Sequence, residues 1–140
     1  MKIRDFTPQD YPALVDIHHS LQIVWPERPP TPEAWAAADQ HRNPKCKYRR
    51  WVAVEEGDGD AAVGFATYGQ SADDYHPQRF YINVEVYPKY QRRGIGSALY
   101  ARVWEGLQQF DPRVLRADAF TNLPQGFSFL QKQGLREVFR

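Results

Sequence analysis

Among the residues of this chain, the run Gln91-Arg92-Arg93-Gly94-Ile95-Gly96-Ser97 has the types and spacing to hold an anion. It follows an apolar run that reads as a strand and opens a segment with helical periodicity. A helix N-terminus presents N–H groups with no carbonyl partner and the positive end of the peptide dipole, so strand, turn and helix start make an anion site. Gly94 and Gly96 remove side chains that would hold a pyrophosphate away from the backbone, Arg92 and Arg93 add positive charge, and Ser97 brings a hydroxyl donor. Other phosphate motifs fit worse: G-x-G-x-x-G asks for a third glycine where Leu99 stands, and a P-loop needs Gly-Lys-Ser/Thr. Taken alone, two glycines also suit a plain tight connection with solvent-facing arginines.

The elements around the turn follow from periodicity. Phe80 to Tyr87 alternates, with even positions apolar and odd positions polar or phenolic, so this strand has two different faces; Pro88 ends it. Gly94 to about Phe110 carries Ile95, Leu99, Val103 and Leu107 at helical spacing. Upstream, Lys2–Phe6 reads as a strand, and Thr7-Pro8 caps a helix over Tyr11–Val24 whose buried stripe is Leu14, Ile17, Leu21 and Val24, with His18 and His19 beside it. Thr31-Pro32 restarts a shorter helix to about Arg42. Tyr48–Glu55 and Ala62–Tyr68 flank a Gly/Asp turn and make a hairpin. Downstream come a strand at Val114–Ala119, a short helix at Gln125–Gln133 and a last extended piece at Leu135–Phe139.

Bulk properties narrow the function classes. One domain fits 140 residues, read as residues 1–140, and the 42% hydrophobic, 25% charged composition is that of a folded chain. Eighteen basic against seventeen acidic residues give a net charge of +1, so no overall field attracts nucleic acid or a membrane, and any anion site must be local. The single cysteine, Cys46, rules out an intrachain disulfide and a cysteine-rich zinc site, and the four histidines are scattered, so no metal is expected. No run approaches the roughly 18 apolar residues of a membrane span, and the start lacks an apolar leader; a cytoplasmic setting is the expectation.

The pattern Val84-x-Val86-x-Pro88-x-x-Gln91-Arg92-Arg93-Gly94-Ile95-Gly96-Ser97-Ala98-Leu99 resembles the acyl-CoA-binding motif of the GNAT acetyltransferase superfamily. The opening Ile-Arg strand, the hairpin, and Phe129-Leu130-Gln131-Lys132-Gln133-Gly134-Leu135 are also similar to family segments, so the resemblance covers nearly the whole chain. It implies an α+β fold: a mixed, mostly antiparallel sheet of about six strands flanked by helices. It implies that main-chain groups of Val84 and Val86 pair with pantetheine in a splay between the strands Phe80–Tyr87 and Val114–Ala119. Gln91, Arg92, Arg93, Gly94, Ile95, Gly96 and Ser97 would then receive the pyrophosphate, and Asn122 would touch the cofactor arm. The implied activity is transfer of an acetyl or other acyl group from acetyl-CoA or a related acyl-CoA to the primary amine of a small molecule or peptide.

Acyl transfer to an amine needs a base for the amine proton and an acid for the leaving thiolate. The chain departs from the family pattern at both points. Leu130 stands where a tyrosine often protonates the thiolate, and Phe80 and Ile82 stand where some members carry a glutamate or histidine. Glu85 is the carboxylate nearest the motif and the candidate base, although alternation puts it on the face opposite Ile82, Val84 and Val86. Tyr87, with Tyr81 and Tyr100, is a candidate acid. His18 or His19 could serve as a base near neutral pH. Trp25, Trp35, Tyr75, Asp73, Asp74 and Asp118 are candidate acceptor-pocket residues, and the segments Val24–Pro32 and Gly69–Gln78 are expected to set acceptor choice.

Two other readings compete. A domain that binds acyl-CoA without turnover, as sensor or structural half of a larger protein, would explain the missing acid and base. An RNA-binding adaptor would use the basic, aromatic-interleaved run Lys45-Cys46-Lys47-Tyr48-Arg49-Arg50. The resemblance further implies two strands after Gly134 where only Leu135–Arg140 remains. An edge left open in this way would pair with a second copy, giving a homodimer, or with a downstream domain.

Overall fold

Five strands lie side by side in chain order in the computed structural model, which describes residues 1–21, 31–57, 59–73 and 75–117. They are β1 (Lys2–Asp5), β2 (Tyr48–Glu55), β3 (Ala61–Gly69), β4 (Arg79–Val86) and β5 (Val114–Ala117). The first three pairings are antiparallel and β4 pairs with β5 in parallel. Parallel neighbours need a crossover, which helix α3 (Ile95–Leu107) supplies. The sheet is therefore mixed and mostly antiparallel, as expected. The sixth strand, the helix at Gln125–Gln133 and the last two residues of the fifth strand fall outside the described residues.

Alternation along the strands creates two faces with different tasks. The register lines up Trp51, Ala66 and Val84 in one row and Val52, Phe65 and Glu85 in the next, facing oppositely. On the first face Ile95, Leu99, Tyr100, Val103 and Leu107 of α3 pack on Trp51, Ala66, Ile82, Val84 and Val86. All of these α3 residues but Tyr100 are positions of the helical stripe read from the sequence.

Helix α1 (Tyr11–Ser20) lays Leu14 and Ile17, both fully buried, on Val52, Val54 and Phe65 of the second face. The chain enters α1 through a 3-10 turn, Pro8–Asp10, where the Asp10 carboxylate accepts from Thr7 N at 2.8 Å and from both ends of the Arg4 guanidinium at 2.8 Å. That pair ties β1 to the start of α1. The helix ends at Ser20, earlier than the Val24 suggested by its stripe, and residues 22–24 lie outside the described set. Helix α2 (Pro32–Gln40) starts where Thr31 Oγ1 accepts from Ala34 N at 3.0 Å, and it brings Trp35 to the edge of the second face.

Candidate active site

The turn after β4 has the geometry its residues suggested. Gly94 caps α3 in the left-handed region, φ +82°, where a side chain is strained, and its carbonyl accepts the first helical bond, from Ala98 N at 3.0 Å. The amides of Ile95, Gly96 and Ser97 therefore precede the helical ladder and point out of the helix end. Gln91 Nε2 donates to Val86 O at 3.1 Å, fastening the turn to β4. Gly96 lies in ordinary helical conformation, and a Cβ placed on it meets no atom of the described residues within 4 Å. Neither backbone conformation nor packing requires glycine there.

Among the described residues no strand pairs with the β5-side edge of β4 beyond Ile82. Tyr87 N donates to Val63 O at 2.9 Å, so odd-numbered β4 residues turn their main-chain groups to β3 and even-numbered ones to the β5 side. Pairing with β5 stops at Ile82–Ala117 among the described residues. The main-chain groups of Val84 and Val86 point to that side of β4, where Val86 O accepts from Gln91, while their side chains are buried against α3.

Glu85 lies on the other face, where it is 1% exposed beneath α1. Its Oε1 is 2.5 Å from His18 Nδ1, and its Oε2 accepts from Asn83 Nδ2 at 2.7 Å. The bond to Glu85 raises the His18 pKa above the ordinary histidine value, against an opposing push from burial. Both residues line a cavity of about 350 Å³ between the sheet and α2. Trp35 stands edge-on to His18, with ring centroids 5.4 Å apart. At the cavity's far side Asp39 bridges two guanidiniums, Arg42 Nη2 at 2.7 Å and Arg50 Nη1 at 2.9 Å.

The sequence profile of the acetyltransferase (GNAT) family matches residues 14–134. The chain belongs to the GNAT acetyltransferase family. Solved structures agree. A ribosomal-protein-alanine N-acetyltransferase from Brucella melitensis is 25% identical with a TM-score of 0.77, over 99% of this chain and 86% of the other. A phosphinothricin acetyltransferase from Sinorhizobium meliloti, solved with acetyl-CoA, is 20% identical with a TM-score of 0.75, over 95% and 73%. An N-acetyltransferase from Staphylococcus aureus is 22% identical with a TM-score of 0.72, over 95% and 81%. No protein of curated function matches. Acetyl-CoA is the co-substrate of this GNAT domain, and the turn at Gly94–Ser97, with no described atom over Gly96, fits it.

Other expected site residues of the GNAT domain fall in different places. The Tyr87 hydroxyl donates to Asp16 of α1, which together with burial holds its pKa well above the usual phenol range, and Tyr87 does not line the Glu85 cavity. Tyr81 does line it, whereas Tyr100 is buried on the sheet-facing side of α3. Arg92 and Arg93 are exposed at the turn, with Arg93 over the Tyr90 ring at 5.2 Å. Asp73 is exposed, and Tyr75 lies under Lys45. Asn122, Asp118, Trp25, Asp74 and Leu130 lie outside the described residues.

The run Lys45–Arg50 does not form a free basic patch. Arg50 is buried against Asp39, Arg49 pairs with Asp5, and Lys45 and Lys47 lie over Tyr75 and Phe110. No described helix is long and apolar enough to cross a membrane. No cluster of three or more metal-ligating side chains occurs among the described residues.

Sequence reasoning named His18 and Glu85 separately and did not join them. Asn83, Asp39 and Arg42 were missed. The signal for Asn83 was available: it shares a strand face with Glu85, two residues away, and is polar on a face that α1 covers.

Proposed function

We propose that this domain is an active N-acetyltransferase whose acceptor amine enters the cavity beside Glu85 and gives its proton to the His18–Glu85 pair. The observation that carries the reading is the 2.5 Å contact between His18 Nδ1 and a carboxylate that is otherwise buried. When His18 is neutral, Glu85 accepts from Nδ1–H, which leaves Nε2 as the nitrogen with a lone pair. Asn83 holds the second carboxylate oxygen, so Glu85 keeps one orientation. Proton transfer to Nε2 then creates an imidazolium that Glu85 stabilises, which is the state the raised His18 pKa describes.

Bound acetyl-CoA supplies the acetyl group as a thioester. The chain's part is to hold it: amides of residues 92–97 and the hydroxyl of Ser97 on the pyrophosphate, and main-chain groups of Val84 and Val86 on the pantetheine arm. The same strand thus carries the cofactor on its edge and the base on its second face. Asn122 remains a proposed contact to the arm, and Tyr87 a proposed acid only if it exchanges Asp16 for the thiolate.

The test is a titration with acetyl-CoA and CoA, followed by an amine panel read as release of free thiol. Turnover on any amine supports the enzyme reading. Binding without turnover across a broad panel supports an acyl-CoA-binding module instead, and failure to bind either nucleotide overturns both.

A further inference from the structure

The cavity that holds Glu85 has a second charged end. Arg42 and Arg50 share the single carboxylate of Asp39, so two fixed positive charges face one negative charge. Asp39 is fully committed: its Oδ2 also accepts from Tyr11 at 2.5 Å, and its pKa lies below the usual carboxylate range because hydrogen bonds from Arg50, Tyr11 and Arg42 overcome an upward push from burial. It stays ionised and cannot serve as a neutral spacer. The Arg50 side chain is 7% exposed, and its Nη2 donates to Tyr48 at 2.5 Å.

Arg42 is different. Only its Nη2 finds a side-chain acceptor among the described residues, and the guanidinium is stacked on Tyr48, 3.4 Å from the ring centroid. A stacked, oriented guanidinium with unused N–H groups is prepared to take a carboxylate in a fork. Arg50 lies in the row with Thr67 and Asn83, two rows along from Glu85 on the same face and two strands across. That puts the two backbone positions about 12 Å apart, and side chains reaching in from both shorten the gap.

The cavity is therefore dipolar, with a proton acceptor at the β4 end and unbalanced positive charge at the β2 end. We propose that the acceptor is a small amine that also carries a carboxylate, its amine held at His18–Glu85 and its carboxylate at Arg42, with Arg50 and Asp39 fixing that arginine in place. The volume of about 350 Å³ suits a molecule of amino-acid size. This inference rests on the acyltransferase reading of the same cavity and adds the chemical class of the acceptor.

The experiment compares matched acceptors by thiol release: amino acids with the amine at increasing distance from the carboxylate, their carboxamides, their decarboxylated amines and their phosphonate counterparts. We expect kcat/KM to favour a carboxylate-bearing amine over its carboxamide by about 10- to 100-fold, the range of a charge-assisted bond. Arg42→Gln should raise KM for that acceptor and shrink the preference, with kcat less affected. Equal or better use of uncharged amines or of peptide N-termini overturns the inference, as does an unchanged preference in Arg42→Gln. A phosphonate preferred over the carboxylate also overturns it. If no amine turns over, the acyltransferase reading falls; NMR titration with the same ligands then decides whether carboxylates bind and whether Arg42→Gln weakens them.

Discussion

Glu85 and His18, 67 positions apart in the chain, meet at 2.5 Å across the interface of β4 and α1. The contact joins β4, whose edge is the proposed cofactor contact, to α1, which contributes His18 to the lining of the cavity under α2. Glu85→Gln should lower kcat about 100- to 1,000-fold, within the usual range for losing general base catalysis, because an amide no longer stabilises the imidazolium. Acetyl-CoA affinity should hardly change, since the Glu85 side chain points away from the cofactor edge. A loss of acetyl-CoA binding that equals the loss of rate would show that the two faces are not separable.

The same pair sets a pH dependence. Because Glu85 raises the His18 pKa, activity should rise with pH through a value above the ordinary histidine value of about 6.5 as Nε2 becomes free to accept. Stability runs the other way. A raised folded-state pKa contributes stability that is fully present below about 6.5 and is lost as pH rises through the raised value. Urea midpoints measured across that window should therefore decline for the native chain and flatten for His18→Asn. A flat profile in the native chain, or an equal decline in the variant, would remove His18 from the account.

How much of this was legible beforehand differs between the two faces. The α3 face was readable because its signals are local: the glycine turn, the stripe Ile95, Leu99, Val103 and Leu107, and the even-numbered residues of β4 all sit within one stretch of chain. The hairpin of β2 and β3 was equally local. The second face was not. Periodicity put Glu85 opposite Val84 correctly, but which helix covers that face depends on how α1 and α2 return over the sheet, and no spacing in the sequence encodes the meeting of Glu85 with His18 or of Asp39 with Arg50. The partners of the basic run Lys45–Arg50, namely Asp5, Asp39, Tyr75 and Phe110, lie outside the run and carry no local signal either.

Gly96→Ala isolates the cofactor contact. A Cβ at this position meets no atom of the described residues within 4 Å and the backbone is unstrained, so alanine should fold normally and even stabilise the helix, by about 0.5 kcal/mol. The methyl group would instead occupy the space over the turn amides. Acetyl-CoA affinity should fall, and Gly96→Glu should abolish it through bulk and like charge. Full affinity in a folded Gly96→Glu protein would move the pyrophosphate to another site.

Gly106→Ala, the same substitution near the other end of α3, should act in the opposite sense. There a Cβ comes within 2.9 Å of Trp51 Cη2 and 3.1 Å of Cζ2, closer than carbon atoms tolerate. Trp51 is 1% exposed, and its ring packs on Tyr68 with centroids 5.7 Å apart, so it has no room to retreat. Overpacking of this kind costs about 1–3 kcal/mol, which outweighs the helix-propensity gain of at most about 1 kcal/mol. Thermal unfolding should therefore show a lowered Tm for Gly106→Ala beside an unchanged or raised Tm for Gly96→Ala. Acetyl-CoA affinity should follow the reverse order, because position 106 is remote from the turn. Equal Tm values for the two variants would mean that Trp51 yields, and that α3 does not rest on β2 as tightly as the contact requires.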